Sequence, residues 1–138
     1  RHTRLRTVTG VQTCALPISL LMAAYGPDDP SADIHATNRD ILVKAGYEII
    51  DVPLVATIHH GDQTVIGSYL NIYLCNGAVL IPVPGEDAET DAEAVRIIGG
   101  AFPDREVIPL QMRAHPVHGG AIHCITQQVP AVSGEVTE

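Results

Sequence analysis

Residues Ser68 to Val83 read SYLNIYLCNGAVLIPV, and this stretch decides the fold. Apolar side chains fall at every second position from Leu70 to Leu74, a period of two that predicts a β-strand. Asn76-Gly77 then separates this run from a second apolar run at Ala78 to Val83. Asn-Gly between two strands is typical of a type I′ turn, in which both central residues have positive φ. The stretch therefore predicts a β-hairpin.

A helix and further strands are predicted after the hairpin. Asp87 to Ala101 has the spacing of an amphipathic helix, with acidic side chains in its first turns where the helix dipole favours them. Arg105 to Leu110 predicts another strand, and Ala121 to Thr126 one more. The predicted buried stripe of the helix consists of Ala88, Asp91, Val95, Ile98 and Phe102. From Ser68 the order is strand, strand, helix, strand, which is a ββαβ unit.

The residues upstream indicate the helix and last strand of a second such unit. Leu20 to Tyr25 predicts a buried strand, and Ala32 to Ala45 predicts a helix with Gly46 where a C-terminal cap belongs. Tyr47 to Val52 predicts the strand that follows. The apolar positions of this helix are Ile34, Ile41, Leu42 and Ala45. We therefore predict an α/β fold with two ββαβ-like modules.

Composition limits the classes of protein to which the chain can belong. Its 138 residues, 46% of them hydrophobic, suffice for one domain with a core. One Phe, no Trp and four Tyr leave an aliphatic core, which suits layered α/β packing. The formal charge of -8 argues against a surface that follows nucleic-acid phosphates and mildly favours cationic small molecules. No apolar run reaches the roughly 18 residues that a membrane-spanning helix needs, so no membrane association is expected.

The cysteines indicate a reducing compartment. Cys14, Cys75 and Cys124 are odd in number and far apart, and no pair has CxxC spacing. A disulfide scaffold or a zinc ribbon is therefore not expected, and a cytoplasmic location is. No oligomeric state follows from the sequence.

The first nineteen residues, RHTRLRTVTGVQTCALPIS, do not fit the domain pattern. They carry three arginines and no acid, show no helical or alternating period, and precede the first methionine, Met22. TGVQTCALPIS resembles translated sequencing-adapter DNA. We therefore expect residues 1–19 to be a non-native segment that packs against nothing, and residues 20–138 to form the domain.

Cys124 is the candidate nucleophile. The segment GGAIHCITQQ, residues 119–128, places this thiol shortly after Gly119 and Gly120, where backbone can come close to a substrate. A nucleophilic cysteine reacts as its thiolate. A nearby group must therefore take the thiol proton or stabilise the negative charge on the sulfur. His123 is adjacent, but neighbouring residues on a predicted strand point to opposite faces, which argues against a Cys-His pair.

GGAIHCITQQ, with SYLNIYLCNG and AFPDREV before it, resembles the agmatine deiminase and bacterial-type peptidyl-arginine deiminase family. The resemblance implies a pentein fold, a propeller of five α/β modules, of which this chain would hold about the last two. It also implies hydrolysis of a small guanidine substrate through a covalent Cys124 intermediate, without metal or organic cofactor. Gly119 and Gly120 would lie against that substrate. Tyr69 and Asn71 fall in the resembling segment, although packing on a strand face explains them equally well.

Departures from the family pattern leave alternatives open. The family's His-x-Asp segment and acidic loop have no counterpart here, so the chain is expected to be a C-terminal fragment that is inactive alone. His118 and Ala121 replace the first glycine and the Asn of the agmatine-type motif, which leaves a peptidyl-arginine substrate open. A non-catalytic remnant is another alternative. His115, His118, His123 and Cys124 could also offer nitrogen and sulfur ligands to a metal.

Overall fold

The computed structural model of the chain describes residues 11–13, 19–113 and 120–129. Within these residues the strands and helices alternate in two similar groups, separated by a hairpin. Their bounds are β1 (Val11–Thr13), β2 (Ser19–Ala24), α1 (Ala32–Lys44), β3 (Glu48–Pro53), β4 (Val55–His60), β5 (Gln63–Gly67), β6 (Tyr73–Cys75), β7 (Ala78–Val83), α2 (Ala88–Gly100) and β8 (Glu106–Gln111). A short 3-10 helix, His123–Ile125, follows.

The second group is the predicted ββαβ unit. β6 pairs antiparallel with β7, β7 pairs parallel with β8, and α2 connects the two parallel strands. The hairpin is confirmed, but its turn type was predicted wrongly. Gly77 has a φ of 75°, whereas no non-glycine residue in the described part of the chain has a positive φ. Positive φ at the second turn position alone is the pattern of a type II turn, which Asn76 enters without strain.

The first strand of this unit is shorter than predicted. β6 begins at Tyr73, and the four residues before it are not in a strand. Tyr69, Leu70 and Ile72 are all buried, so the period of two does not separate a buried face from an exposed one. Residues 69–72 are therefore an irregular segment pressed into the core.

The first group has the same order as the second. β1 pairs antiparallel with β2, β2 pairs parallel with β3, and α1 connects them. Ser19 begins β2 and is 2% exposed. The prediction that residues 1–19 pack against nothing is therefore wrong for Ser19 and for Val11–Thr13. The free edge of β2 offers unpaired backbone N–H and C=O groups, which an adjacent extended segment satisfies. Residues 1–10 and 14–18, with Cys14, lie outside the described residues.

The two helices are ended by their sequences. Asp87 caps α2, since its side chain accepts hydrogen bonds from the N–H groups of Glu89 at 3.0 Å and Thr90 at 3.2 Å. At the end of α1, Gly46 has a φ of 89° and donates to the Val43 carbonyl, while the next N–H donates to the Leu42 carbonyl. This is the Schellman arrangement, and it confirms the predicted glycine cap.

The helices differ in how far they are buried. α2 packs against β3, β7 and β8, and Asp91, Ala94 and Ile98 are its buried residues. Ala88, predicted for the buried stripe, is exposed because it lies at the start of the first turn. α1 has no fully buried residue. Ile34 and Ile41, two of its apolar positions, are 64% and 59% exposed.

The predicted strand at Ala121 to Thr126 is instead the 3-10 helix and its flanks. Ala121 and Ile122 are buried beside Met112, with Tyr73 and Leu80 packed against them. The hydroxyl of Thr126 donates to the carbonyls of Ile122 at 2.9 Å and His123 at 3.1 Å. Local side-chain bonds of this kind compete with strand pairing.

No helix in the described ranges is long and apolar enough to cross a membrane.

Candidate active site around Cys124

Cys124 presents its thiol at the surface beside a single amide side chain. The residue is exposed and lies in the middle of the 3-10 helix. The Asn71 side-chain nitrogen, Nδ2, donates a hydrogen bond to the Cys124 Sγ over 3.2 Å. An N–H group aimed at a sulfur stabilises negative charge there, which is what a nucleophilic cysteine needs.

Asn71 also shapes the backbone that carries the thiol. Its side-chain oxygen, Oδ1, accepts hydrogen bonds from the backbone N–H groups of Ala121 at 3.1 Å and His123 at 2.9 Å. Two N–H donors on one side require the oxygen there, which leaves the amide nitrogen to face the sulfur. One side chain thus fixes the turn and the thiol together.

Gly120 leaves room for the thiol. A Cβ added at residue 120 would lie 2.6 Å from the Cys124 Cβ and 2.7 Å from its Sγ, closer than real Cβ atoms come to other atoms. The close backbone approach that the sequence suggested for a substrate is here an approach to the thiol itself. Contact of Gly120 with a substrate stays a prediction, and Gly119 lies outside the described residues.

Buried apolar residues hold the turn that carries the thiol. Ala121 and Ile122, three and two residues before Cys124, are 4% and 3% exposed, whereas Cys124 itself is exposed. Burial of these two side chains against Met112 anchors the turn to the sheet. The nucleophile candidate is therefore fixed from below by packing and from one side by Asn71.

No histidine is hydrogen-bonded to the Cys124 thiol among the residues whose side chains the structure describes. His123 is exposed, and its imidazole makes no hydrogen bond with Cys124 within that part. His35 stacks on Tyr25 with 3.5 Å between ring centroids, and His59 lies 3.3 Å from the Thr64 hydroxyl. His115 and His118 lie outside the described ranges. Within those ranges, no three His, Cys, Asp or Glu side chains form a group that could hold a metal ion.

Asn71 is a candidate site residue whose contacts sequence reasoning did not predict. Strand-face packing had been an equal explanation for it, but the structure shows it outside any strand and bonded to residues 121–124. The available signal was an amide between Leu70 and Ile72, two residues that are 3% and 2% exposed. Asn is uncommon in strands, and a polar group in such surroundings is costly unless it is hydrogen-bonded.

Comparison with known proteins identifies the relatives of this chain. A model of the Porphyromonas-type peptidyl-arginine deiminase family matches residues 11–130. A Selenomonas ruminantium protein provisionally named agmatine deiminase is 50% identical over 70 residues, which are 51% of this chain and 18% of that protein. The agmatine deiminase of Pseudomonas putida is 41% identical over 86 residues, covering 61% of this chain and 23% of the relative.

A solved structure is similar as well. The protein from Porphyromonas gingivalis provisionally described as an arginine deiminase superposes with a TM-score of 0.69 and 28% identity, over 81% of this chain and 34% of its own. The chain thus spans between about a fifth and a third of the length of these three relatives.

Proposed function

The chain belongs to the Porphyromonas-type peptidyl-arginine deiminase family, and from that premise we propose that its parent protein hydrolyses a guanidine group with Cys124 as the covalent nucleophile. The observation that carries the proposal is the exposed Cys124 thiol held by the Asn71 amide over 3.2 Å. Curated relatives named agmatine deiminase favour agmatine as the substrate. The family description keeps a peptidyl arginine as the alternative.

The proposed reaction consumes one water and releases one ammonia. The Cys124 thiolate attacks the central guanidinium carbon, and the neutral tetrahedral adduct takes up a proton and expels ammonia to leave a carbon–sulfur thiouronium cation. Water then attacks the same carbon and loses its two protons as the carbon–sulfur bond breaks, which gives the ureido product and restores the thiolate. With agmatine the product is N-carbamoylputrescine, a precursor of putrescine, and a reducing cytoplasm would keep Cys124 free. No metal or organic cofactor enters these steps.

Within this scheme Asn71 stabilises the sulfur and Gly120 permits its position. The Asn71 N–H favours negative charge on Sγ before attack and again when the sulfur leaves. The formal charge of -8 suits a cationic guanidinium substrate. A proton-transferring histidine and carboxylates that hold the guanidinium are needed as well. We assign them to the part of the parent that this chain does not span, and therefore expect no measurable ammonia release from agmatine by residues 20–138 alone.

We also propose that the parent is a propeller of five ββαβ modules, of which this chain holds about the last two. Support comes from the repeated order β1-β2-α1-β3 and β6-β7-α2-β8. In the second unit α2 packs against β3, the last strand of the unit before it. The fourth, seventh and eleventh residues of α2, which are Asp91, Ala94 and Ile98, are buried.

The corresponding face of α1 is incomplete. Its fourth, seventh and eleventh residues, which are His35, Asn38 and Leu42, are only half-buried. The His35 Nδ1 atom is buried and has no hydrogen-bond partner among the residues that the structure describes. The last strand of a preceding module would pack against α1 as β3 packs against α2.

A chimera tests the proposal. The upstream part of the Selenomonas ruminantium relative is joined to residues 20–138, and agmatine hydrolysis is followed by ammonia release. We expect turnover that Cys124→Ser abolishes and Cys75→Ser leaves unchanged, because a serine hydroxyl is too weakly acidic to replace a thiolate. Cys75 is a matched control, since it is half-buried and its thiol lies 3.7 Å from the Ala78 carbonyl in the hairpin.

Chemical labelling gives a second measurement on the same chimera. A haloacetamidine carries the guanidine-like amidinium group next to an alkylating carbon. We expect mass spectrometry to locate the label on Cys124, and agmatine to protect that residue. A label on Cys75, or full activity in Cys124→Ser, would overturn the assignment. Reagent binding without turnover would instead favour the non-catalytic remnant.

A further inference from the structure

Asn71 needs its own support, because the segment that carries it is irregular. Residues 69–72 lie between β5 and β6 and pair with no strand there. Two residues before Asn71, the side chain of Tyr69 is 1% exposed, and its hydroxyl donates a hydrogen bond to Asp91 Oδ1 over 2.6 Å. This bond joins the segment to α2, 22 residues further along the chain.

Asp91 is an unusual residue for its position. It occupies the buried stripe of α2 with Ala94 and Ile98 and is 9% exposed. Its second oxygen, Oδ2, accepts a hydrogen bond from the Gly85 N–H over 2.9 Å. An apolar residue would pack at such a position without the cost of burying a charge. Both carboxylate oxygens are used, one for the loop after β7 and one for Tyr69.

We propose that Asp91 and Tyr69 are positioning residues, which fix Asn71 and through it the Cys124 thiol. The path runs from the Asp91 carboxylate to the Tyr69 hydroxyl, along the backbone to Asn71, and across its amide to Sγ. Leu70 and Ile72, on either side of Asn71, are buried, which limits the movement of the segment. The hydrogen bond of Tyr69 to Asp91 supplies its remaining attachment. The catalytic meaning of this path rests on the proposed function of Cys124.

The experiment uses two variants of the 138-residue chain and two measurements that require no guanidine chemistry. Tyr69→Phe keeps the ring and removes the hydroxyl, whereas Asp91→Asn keeps an acceptor for Tyr69 but turns one N–H toward the Gly85 N–H. Amide exchange is followed at Ala121 and His123, whose N–H groups bond to Asn71 Oδ1. Alkylation by iodoacetamide, a neutral reagent, is followed at Cys124 relative to Cys75.

We expect Tyr69→Phe to speed exchange of the Ala121 and His123 amides about tenfold relative to the Ile81 amide of β7, the effect of losing one hydrogen bond to a charged group. Alkylation of Cys124 relative to Cys75 should change by at least about threefold, because the Asn71–Sγ bond is loosened in the same step. Asp91→Asn should produce a smaller change of the same kind.

Asp87→Ala is the matched control. Asp87 is the N-cap residue of the same helix, so its loss destabilises α2 but leaves the hydrogen bond between the Tyr69 hydroxyl and Asp91 in place. We expect a lower melting temperature and unchanged exchange and alkylation ratios. The proposal would be overturned if Tyr69→Phe and the unsubstituted chain had equal exchange and alkylation ratios. Equal changes in Asp87→Ala and Tyr69→Phe would overturn it too. Rapid exchange of the Ala121 and His123 amides in the unsubstituted chain would also overturn the proposal, because Asn71 would then not be held in a fixed position. None of these outcomes depends on whether Cys124 attacks guanidines.

Discussion

Asn71 and Cys124 are 53 residues apart in the sequence, yet the amide nitrogen of one lies 3.2 Å from the sulfur of the other. The contact joins the entry of β6 to the 3-10 helix near residue 124. Because the same amide oxygen accepts two backbone N–H groups, the position of the thiol and the shape of its turn depend on one side chain.

Substitution of Asn71 should separate stability from reactivity. Asn71→Ala removes the side-chain oxygen that accepts from the Ala121 and His123 N–H groups, while the His123 N–H keeps its 3.3 Å contact with the backbone carbonyl of residue 71. We expect the free energy of unfolding to fall by about 1–3 kcal/mol. Asn71→Asp keeps an acceptor and should lose less stability. It also places an anion beside the sulfur, which disfavours the thiolate, so alkylation of Cys124 should slow most in this variant.

Asn76→Asp supplies the control for Asn71→Asp, because it makes the same change of charge in the β6–β7 turn. Denaturant unfolding and mass spectrometry of the alkylated chain measure the two effects. A rate of Cys124 alkylation that is the same in Asn71→Asp and Asn76→Asp would contradict the role given to the amide.

Gly120→Ala should displace the thiol. The added methyl group would lie 2.6 Å and 2.7 Å from the Cβ and Sγ of Cys124, so one of the two residues must move. We expect a loss of about 1–3 kcal/mol, typical of overpacking, and a changed rate of Cys124 alkylation.

Gly100→Ala gives the matched comparison for that substitution. A Cβ at residue 100 would meet nothing within 4 Å, and the residue ends α2. Alanine there should stabilise the chain by about 0.5–1 kcal/mol and leave Cys124 unaffected. Thermal unfolding of Gly120→Ala and Gly100→Ala measures the two changes in stability. A Gly120→Ala variant as stable and as reactive as the unsubstituted chain would disprove the close contact.

Stability should fall at high pH because of Tyr69. Burial, and then the hydrogen bond to Asp91, raises the pKa of the Tyr69 hydroxyl above its ordinary value of about 10. The folded state thus holds this proton more tightly than the unfolded state does. Its contribution is complete below about pH 10 and is lost as the pH rises further. Urea unfolding between pH 8 and 11 should show a steeper alkaline decline for the parent chain than for Tyr69→Phe. Parallel curves would count against the buried hydrogen bond.

The exposed apolar side chains of α1 should cause self-association. Ile34, Ile41 and Val43 are 64%, 59% and 54% exposed on one short helix. Exposed apolar area of this kind favours contacts between chains. We expect Ile41→Lys to lower the weight-average mass measured by sedimentation at increasing concentration. Thr37→Lys, at another exposed position of α1, adds the same charge without removing an apolar group. An unsubstituted 138-residue chain that stays monomeric would refute this expectation.

The regular part of the fold was predictable from local signals. Asn76-Gly77 between two apolar runs predicted the hairpin, and acidic residues after Asp87 predicted the start of α2. Gly46 predicted the end of α1, where it donates to Val43 in a left-handed conformation. Each of these signals acts within a few residues, so a single sequence displays it directly.

The errors arose where distant residues decide the structure. Ala121 to Thr126 is rich in apolar and β-branched residues and was predicted as a strand, but its N–H groups bond to Asn71 instead of to a neighbouring strand. The exposure of Ile34 and Ile41 likewise depends on what stands beside α1, which periodicity does not reveal. Cys124 was identified as the nucleophile candidate from its local motif, whereas its partner became visible only in three dimensions.

The contact between Gly120 and Cys124 also restricts the direction from which the sulfur can be reached. Gly120 backbone closes one side of Sγ, and the Asn71 amide occupies another. A carbon bound to this sulfur would therefore project into the remaining open sector. In the proposed reaction, departing ammonia and arriving water would share that sector, so the first must clear it before the second can attack. Ammonia and water would thus both use the approach to the sulfur that the Gly120 backbone and the Asn71 amide leave open.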